Sequence, residues 1–225
     1  MAWHPPEGMN EFLKPTELCN SDSVEIKRKA QELVKDMLAP KEAALKIFYF
    51  VRDGIAYGLD FVDVRASRTL KNRLGTCENK AKLHIALLRS VGIPARYRRA
   101  ATRKEWLRGI FSDLVYKTIP EVPDTHAWCE CYLSGKWVSC EALLDKALFE
   151  GIVLRDFAIV SQIPTIDWDG DNALMVAKPW VMKDLGAFDS LDDLWIETAK
   201  RSGPRILQRL SMSLSNRHTD SLRKR

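Results

Sequence analysis

The chain has 225 residues, of which 46% are hydrophobic and 29% charged, with 11 glycines and 10 prolines. A chain of this length buries a sizeable core without staples, and the composition excludes collagen-like, low-complexity and wholly disordered classes. No apolar stretch is long enough to cross a bilayer, and the net charge of +5 is mild.

The opening residues, MAWHPPEGMNEF, carry neither the basic nor the apolar stretch of a secretory signal. Five cysteines are an odd number and do not make a disulfide framework. A cytoplasmic location with reduced thiols is therefore expected. Charge is unevenly placed: Asp156–Glu197 holds nine acidic residues against two lysines, and Thr198–Arg225 holds eight basic residues against Asp220. A second basic run includes Arg96, Arg98, Arg99 and Arg103. Neither run carries a nucleic-acid-reading motif, so each reads as a solvated face or tail.

In chain order, residues 1–20 read as an irregular arm. Ser21 or Ser23 caps a helix to about Met37, which Pro40 ends. A second helix starts near Lys41, with Ala44, Leu45, Phe48 and Val51 at helical spacing. An irregular stretch leads to Leu74-Gly75-Thr76, and Cys77–Val91 is a strongly apolar helix closed by Gly92 and Pro94. Its Glu78, Lys82 and Arg89 form one narrow stripe, which reads as the exposed face. Strands follow at 95–101, 125–133 and 136–141, the last two joined by a Ser134-Gly135 turn. Residues 152–180 read as irregular, with helices at 191–201 and 204–215. Helices followed by an antiparallel sheet make an α+β fold. The expected division is 1–40 as N-terminal arm and helix, 41–145 as core, and 146–225 as C-terminal extension.

Cys77 falls in the first turn of a helix capped by Thr76, where free N–H groups and the helix dipole favour a thiolate. The alternative is a small apolar residue at the start of a buried helix. A thiolate nucleophile needs a base, usually histidine. His4 lies in the arm and His218 in the basic tail. His84 lies seven residues along the same helix, roughly 10 Å away at 1.5 Å per residue. His126, opening a strand, remains. With a two-residue turn at 134–135, cross-strand partners sum to 269, which puts Glu141 diagonal to His126 and within side-chain reach. A carboxylate there can orient an imidazole.

The same register puts Cys129, Cys131 and Cys140 on the opposite face. Three thiols fall short of a structural zinc site, and His126 points away, so they read as core packing and no metal is expected. Asp167, Asp169 and Asp171 resemble the start of a calcium loop, but Asn172 and Lys178 stand where it needs Gly and Glu. That segment reads as a polar turn.

The segment Leu74-Gly75-Thr76-Cys77-Glu78-Asn79-Lys80-Ala81, continuing through Ala86–Arg96, resembles the catalytic-cysteine segment of the transglutaminase-like superfamily. His126-Ala127-Trp128-Cys129-Glu130-Cys131-Tyr132-Leu133 with Gly135-Lys136-Trp137 resembles its histidine strand. The resemblance spans about residues 41–145. It implies a papain-like α+β core and a Cys-His-Asp triad acting through a thioester, in amide hydrolysis, peptide cleavage or acyl transfer to an amine. Carried over, Cys77 is the nucleophile and His126 the base. Glu141 stands where the family has Asp, with Asp145 as a nearby substitute. No cofactor is implied, the partners are peptide, protein or small amide substrates, and neither a membrane nor a nucleic-acid partner is expected. A non-catalytic module that binds a peptide in the same cleft is the alternative.

Overall fold

The computed structural model describes residue 3 and residues 5–224; His4 lies outside the described residues. Helix α1 (Val24–Val34) is capped by Ser23, whose hydroxyl accepts from the Ile26 N–H at 3.3 Å. Pro40 is the first residue of α2 (Pro40–Gly54), so it starts the second helix besides limiting the first. Strand β1 (Ala56–Tyr57), helix α3 (Ala66–Asn72) and strand β2 (Leu74–Gly75) come next, with β1 and β2 paired in parallel. Helix α4 (Cys77–Ser90) lies at the centre. It packs on strands β3 (Ala95–Thr102) and β4 (His126–Leu133) and against α1, α2 and α3. Helix α5 (Asp113–Thr118) lies in the connection between those strands.

Strand β5 (Lys136–Ser139) follows the expected turn. Leu133 pairs with Lys136, and Ser134 and Gly135 have φ of 50° and 83°. These are the two positive values that a mirror-image hairpin turn requires. The C-terminal segment comprises helix α6 (Lys146–Leu154), strand β6 (Val181–Phe188) and helices α7 (Asp192–Arg201) and α8 (Arg205–Leu222). Strand β6 adds an edge to the antiparallel sheet, whose order is β5-β4-β3-β6. Helices packed on an antiparallel sheet are the expected α+β architecture. Helices α3, α5 and α6 and strands β1, β2 and β6 are additions to the elements read from sequence, β5 ends at Ser139 instead of Glu141, and α8 runs further than expected.

The expected exposed stripe of α4 is a correction. Lys82 and Arg89 are buried, and so is Lys80. Lys82 Nζ donates to the carbonyls of Val62 and Val64, each at 2.7 Å, and Arg89 donates to those of Lys14, Ala95 and Asp189. Lys80 Nζ donates to Arg52 O at 3.0 Å and Ile55 O at 2.6 Å, and burial pushes its pKa down to about 7. Long side chains thus satisfy loop carbonyls around the helix.

The C-terminal helix is locked in place by a close approach. A Cβ on Gly151 of α6 would lie 1.8 Å from the Leu222 carbonyl oxygen. Gly151→Ala must push α8 away from α6 and is expected to cost about 1–3 kcal/mol, read as a lowered denaturant midpoint.

Candidate active site

The site is assembled at the meeting point of α4, β4 and the chain after β5. Gly75 precedes it because a Cβ there would come within 2.6 Å of Asn79 Cβ. Thr76 is the N-cap of α4, but its hydroxyl does not accept from the helix. Both its N–H and its hydroxyl donate to Asn79 Oδ1, at 3.0 and 2.8 Å. Cys77 is then the first helical residue, 9% exposed.

His126 opens β4 and is 2% exposed. Its ring lies between two tryptophans, stacked on Trp128 at 5.7 Å between centroids and edge-on to Trp106 at 5.5 Å. His126 Nε2 is 2.7 Å from Glu141 Oε1, although the two are not aligned as a hydrogen bond. The other Glu141 oxygen accepts from the Ala177 N–H at 3.0 Å. The C-terminal segment therefore holds the carboxylate from behind. His126 Nδ1 has no protein partner. Cys77 and His126 line one cavity of about 160 Å³, together with Tyr57, Trp106, Leu107 and Phe111. The Ala127 backbone, next in chain to His126, lies close enough to Cys77 to favour its thiolate.

Asp145 stands elsewhere. It caps α6 by accepting from the Leu148 N–H at 2.9 Å, accepts from the Tyr57 N–H at 2.9 Å, and pairs with Arg223 at 2.6 Å. Burial alone would raise its pKa, but the Arg223 guanidinium and the Lys80 charge outweigh this and hold the carboxyl below its usual range. Of the two candidate carboxylates, Glu141 is the one beside His126.

The expected thiolate at Cys77 is a correction. Burial, followed by the Glu78 carboxylate, pushes the thiol pKa well above its usual value. Cys77 Sγ donates to Glu78 Oε2 at 3.0 Å, an acceptor that only the protonated thiol can use. Helix position alone does not decide a thiol's charge when an acidic neighbour faces it. Glu78→Gln is expected to raise the rate of Cys77 alkylation at pH 7 severalfold, followed by mass mapping of the modified thiol. An unchanged rate would show that Glu78 does not hold the proton.

Several contacts lay beyond sequence reasoning. Ala177 acts through its backbone, and Tyr57 and Trp106 arrive from segments with no motif. Burial, followed by the nearby Cys77, Glu78 and Glu141 groups, pushes the Tyr57 phenol well up. The basic run is largely paired within the fold: Arg96 lies 2.9 Å from Glu130, and Arg98 meets Asp184. The three-aspartate segment is a polar turn tied to α2 by Arg52–Asp167 and Lys41–Asp171 pairs. No helix among the described residues is long and apolar enough to cross a membrane.

The model of the transglutaminase-like superfamily matches residues 27–142, just over half of the chain. Two solved structures are similar in part. One is a candidate cysteine protease from Cytophaga hutchinsonii, 25% identical with a TM-score of 0.48, covering 60% of this chain and 42% of its own. The other is a candidate protease from Parabacteroides distasonis, 14% identical with a TM-score of 0.38, covering 59% of this chain and 25% of its own. This chain thus matches less than half the length of either. No curated protein matches it.

Proposed function

Because this chain belongs to the transglutaminase-like superfamily, we propose that it is a thiol enzyme acting on an amide or peptide bond through a thioester on Cys77. The observation that carries this reading is the pairing of His126 with Glu141 beside a cavity that Cys77 also lines. With Nε2 the ring nitrogen beside the carboxylate, Nδ1 is the one left to receive the thiol proton. The thiolate then attacks the carbonyl carbon, and the developing oxyanion meets the Cys77 N–H, one of the four that a helix's first turn leaves without an internal partner. The imidazolium gives its proton to the departing amine, and water or a second amine resolves the thioester. Glu141 is a positioning residue that stabilises the imidazolium and fixes its orientation.

A groove of about 610 Å³ shares Leu59 with the cavity; it is lined by Arg68, Arg205, Arg209 and Arg217 against Asp60 and Asp220, and Arg205 is paired with Asp63, which leaves it net basic. This supports a peptide or protein substrate with acidic residues flanking the cleaved bond, held by the C-terminal helix. The neutral, buried Cys77 thiol favours a second reading, a peptide-binding module without turnover. Hydrolysis of a pooled set of acidic and neutral peptides, followed by mass spectrometry, separates the two. An enzyme cleaves or deamidates members of the pool and loses this activity in Cys77→Ala. A binding module retains peptides unaltered, with equal affinity in that variant.

A further inference from the structure

His84 lies two turns along α4 from Cys77 and is 1% exposed, yet neither ring nitrogen has a protein partner. A polar ring buried without a partner costs several kcal/mol in an apolar surround, and native cores rarely tolerate one unexplained. Its ligand atom and the sulfurs of Cys129 and Cys140 all lie within 4.8 Å of one another. A fourth group is close, with Cys131 Sγ 3.8 Å from Cys140 Sγ. That is about the separation of two thiolates on a tetrahedral zinc ion at about 2.3 Å per bond. All four cysteine and histidine side chains are buried, and the three thiols are free.

We infer that His84, Cys129 and Cys140 form a buried site for a thiophilic d10 cation, Zn²⁺, with Cys131 as the fourth ligand that closes it. The donor set is three sulfurs and one imidazole, the composition of a closed structural zinc site. Binding displaces one proton from each thiol to solvent, and no oxidation state changes. His84 suits the role because it is buried beside two of the sulfurs with no protein partner on either ring nitrogen. The sequence places these ligands tellingly. Cys129 is three residues beyond His126, Cys140 precedes Glu141, and His84 shares a helix with Cys77. One ion would clamp together the three segments that carry the candidate triad, directly behind it: His84 and Cys129 share a small cavity with Cys77 and Glu141.

The test uses the full chain, unfolded with chelator and reductant and refolded with Co²⁺ or Zn²⁺ alone. The expected result is one Co²⁺ per chain after desalting, with thiolate-to-cobalt charge-transfer absorption that Zn²⁺ bleaches. His84→Leu and Cys140→Ser should each lose it, and Cys19→Ser should keep it. Should those two variants fail to fold, Zn²⁺ should still slow alkylation of Cys129, Cys131 and Cys140 in the wild-type chain at least tenfold relative to Cys19. A refolded chain that retains no metal, absorption that survives in both variants, or zinc protection that does not favour the three thiols would each overturn the assignment.

Discussion

Cys77→Ala is expected to lower turnover by about 10⁴-fold or more while leaving the unfolding midpoint nearly unchanged. The substitution removes the one thiol that lines the cavity among the described residues, and the hydroxyls of Thr76, Thr102 and Thr125 beside it are far weaker nucleophiles. Cys77 is the first residue of its helix, with its side chain at the cavity wall. Its loss opens little space in the core, so folding and turnover should separate cleanly. The measurement is turnover on the best peptide of the pool beside a thermal melt. A variant that retains a tenth of the activity would place the nucleophile elsewhere.

The second large effect contrasts two carboxylates four residues apart. Glu141→Gln keeps the volume but removes the charge beside His126, and turnover should fall by about a hundredfold or more with the fold intact. Glu141→Asp should keep substantial activity, since the family holds its histidine with that shorter acid. Asp145→Asn should do the opposite. It breaks a buried pair with Arg223 and weakens the cap of α6. The cost is about 3 kcal/mol, or roughly 6–12 °C in Tm for a chain of this size.

The Asp145 effect also has a definite pH sign. The folded carboxyl titrates below its unfolded value. Its contribution is fully present above the unfolded pKa, near 4, and is lost as pH falls through the folded one. The wild-type chain should therefore lose its margin over Asp145→Asn in acid. An acid-independent difference between the two would contradict the ion-pair account.

Much of the geometry of the candidate site is legible because short-range rules fix it. The Ser134-Gly135 turn set the register, the register carried Glu141 to His126, and the helix start delivered Cys77. What escaped depended on packing between distant segments. Strand β6 has no alternating pattern, since it is an irregular edge with bulges beside Arg99 and Ala101. The far end of α8 is held by buried Ser215 and Thr219, which bond Ser112 and Ile110 and carry no apolar signal. The burial of Lys80 and Lys82 follows from loop carbonyls that surround the helix. The cysteine face was read correctly, yet the rotation that brings His84 over it is set by how α4 docks on β4, which no local pattern encodes. The Glu78 carboxylate, by contrast, is the next residue in the chain, and its contact with the Cys77 thiol depends on the side-chain rotamer.

The most direct measurement is pre-steady-state acylation by p-nitrophenyl acetate, with intact-mass detection and mapping of the acetyl group. The wild-type chain should release a burst of one equivalent of p-nitrophenol and carry one hydroxylamine-sensitive acetyl group on Cys77. The burst rate should fall at least a hundredfold in His126→Ala and in Glu141→Gln. Acetylation of Cys77 no faster than that of Cys19, or at the same rate in both variants, would contradict an activated Cys77.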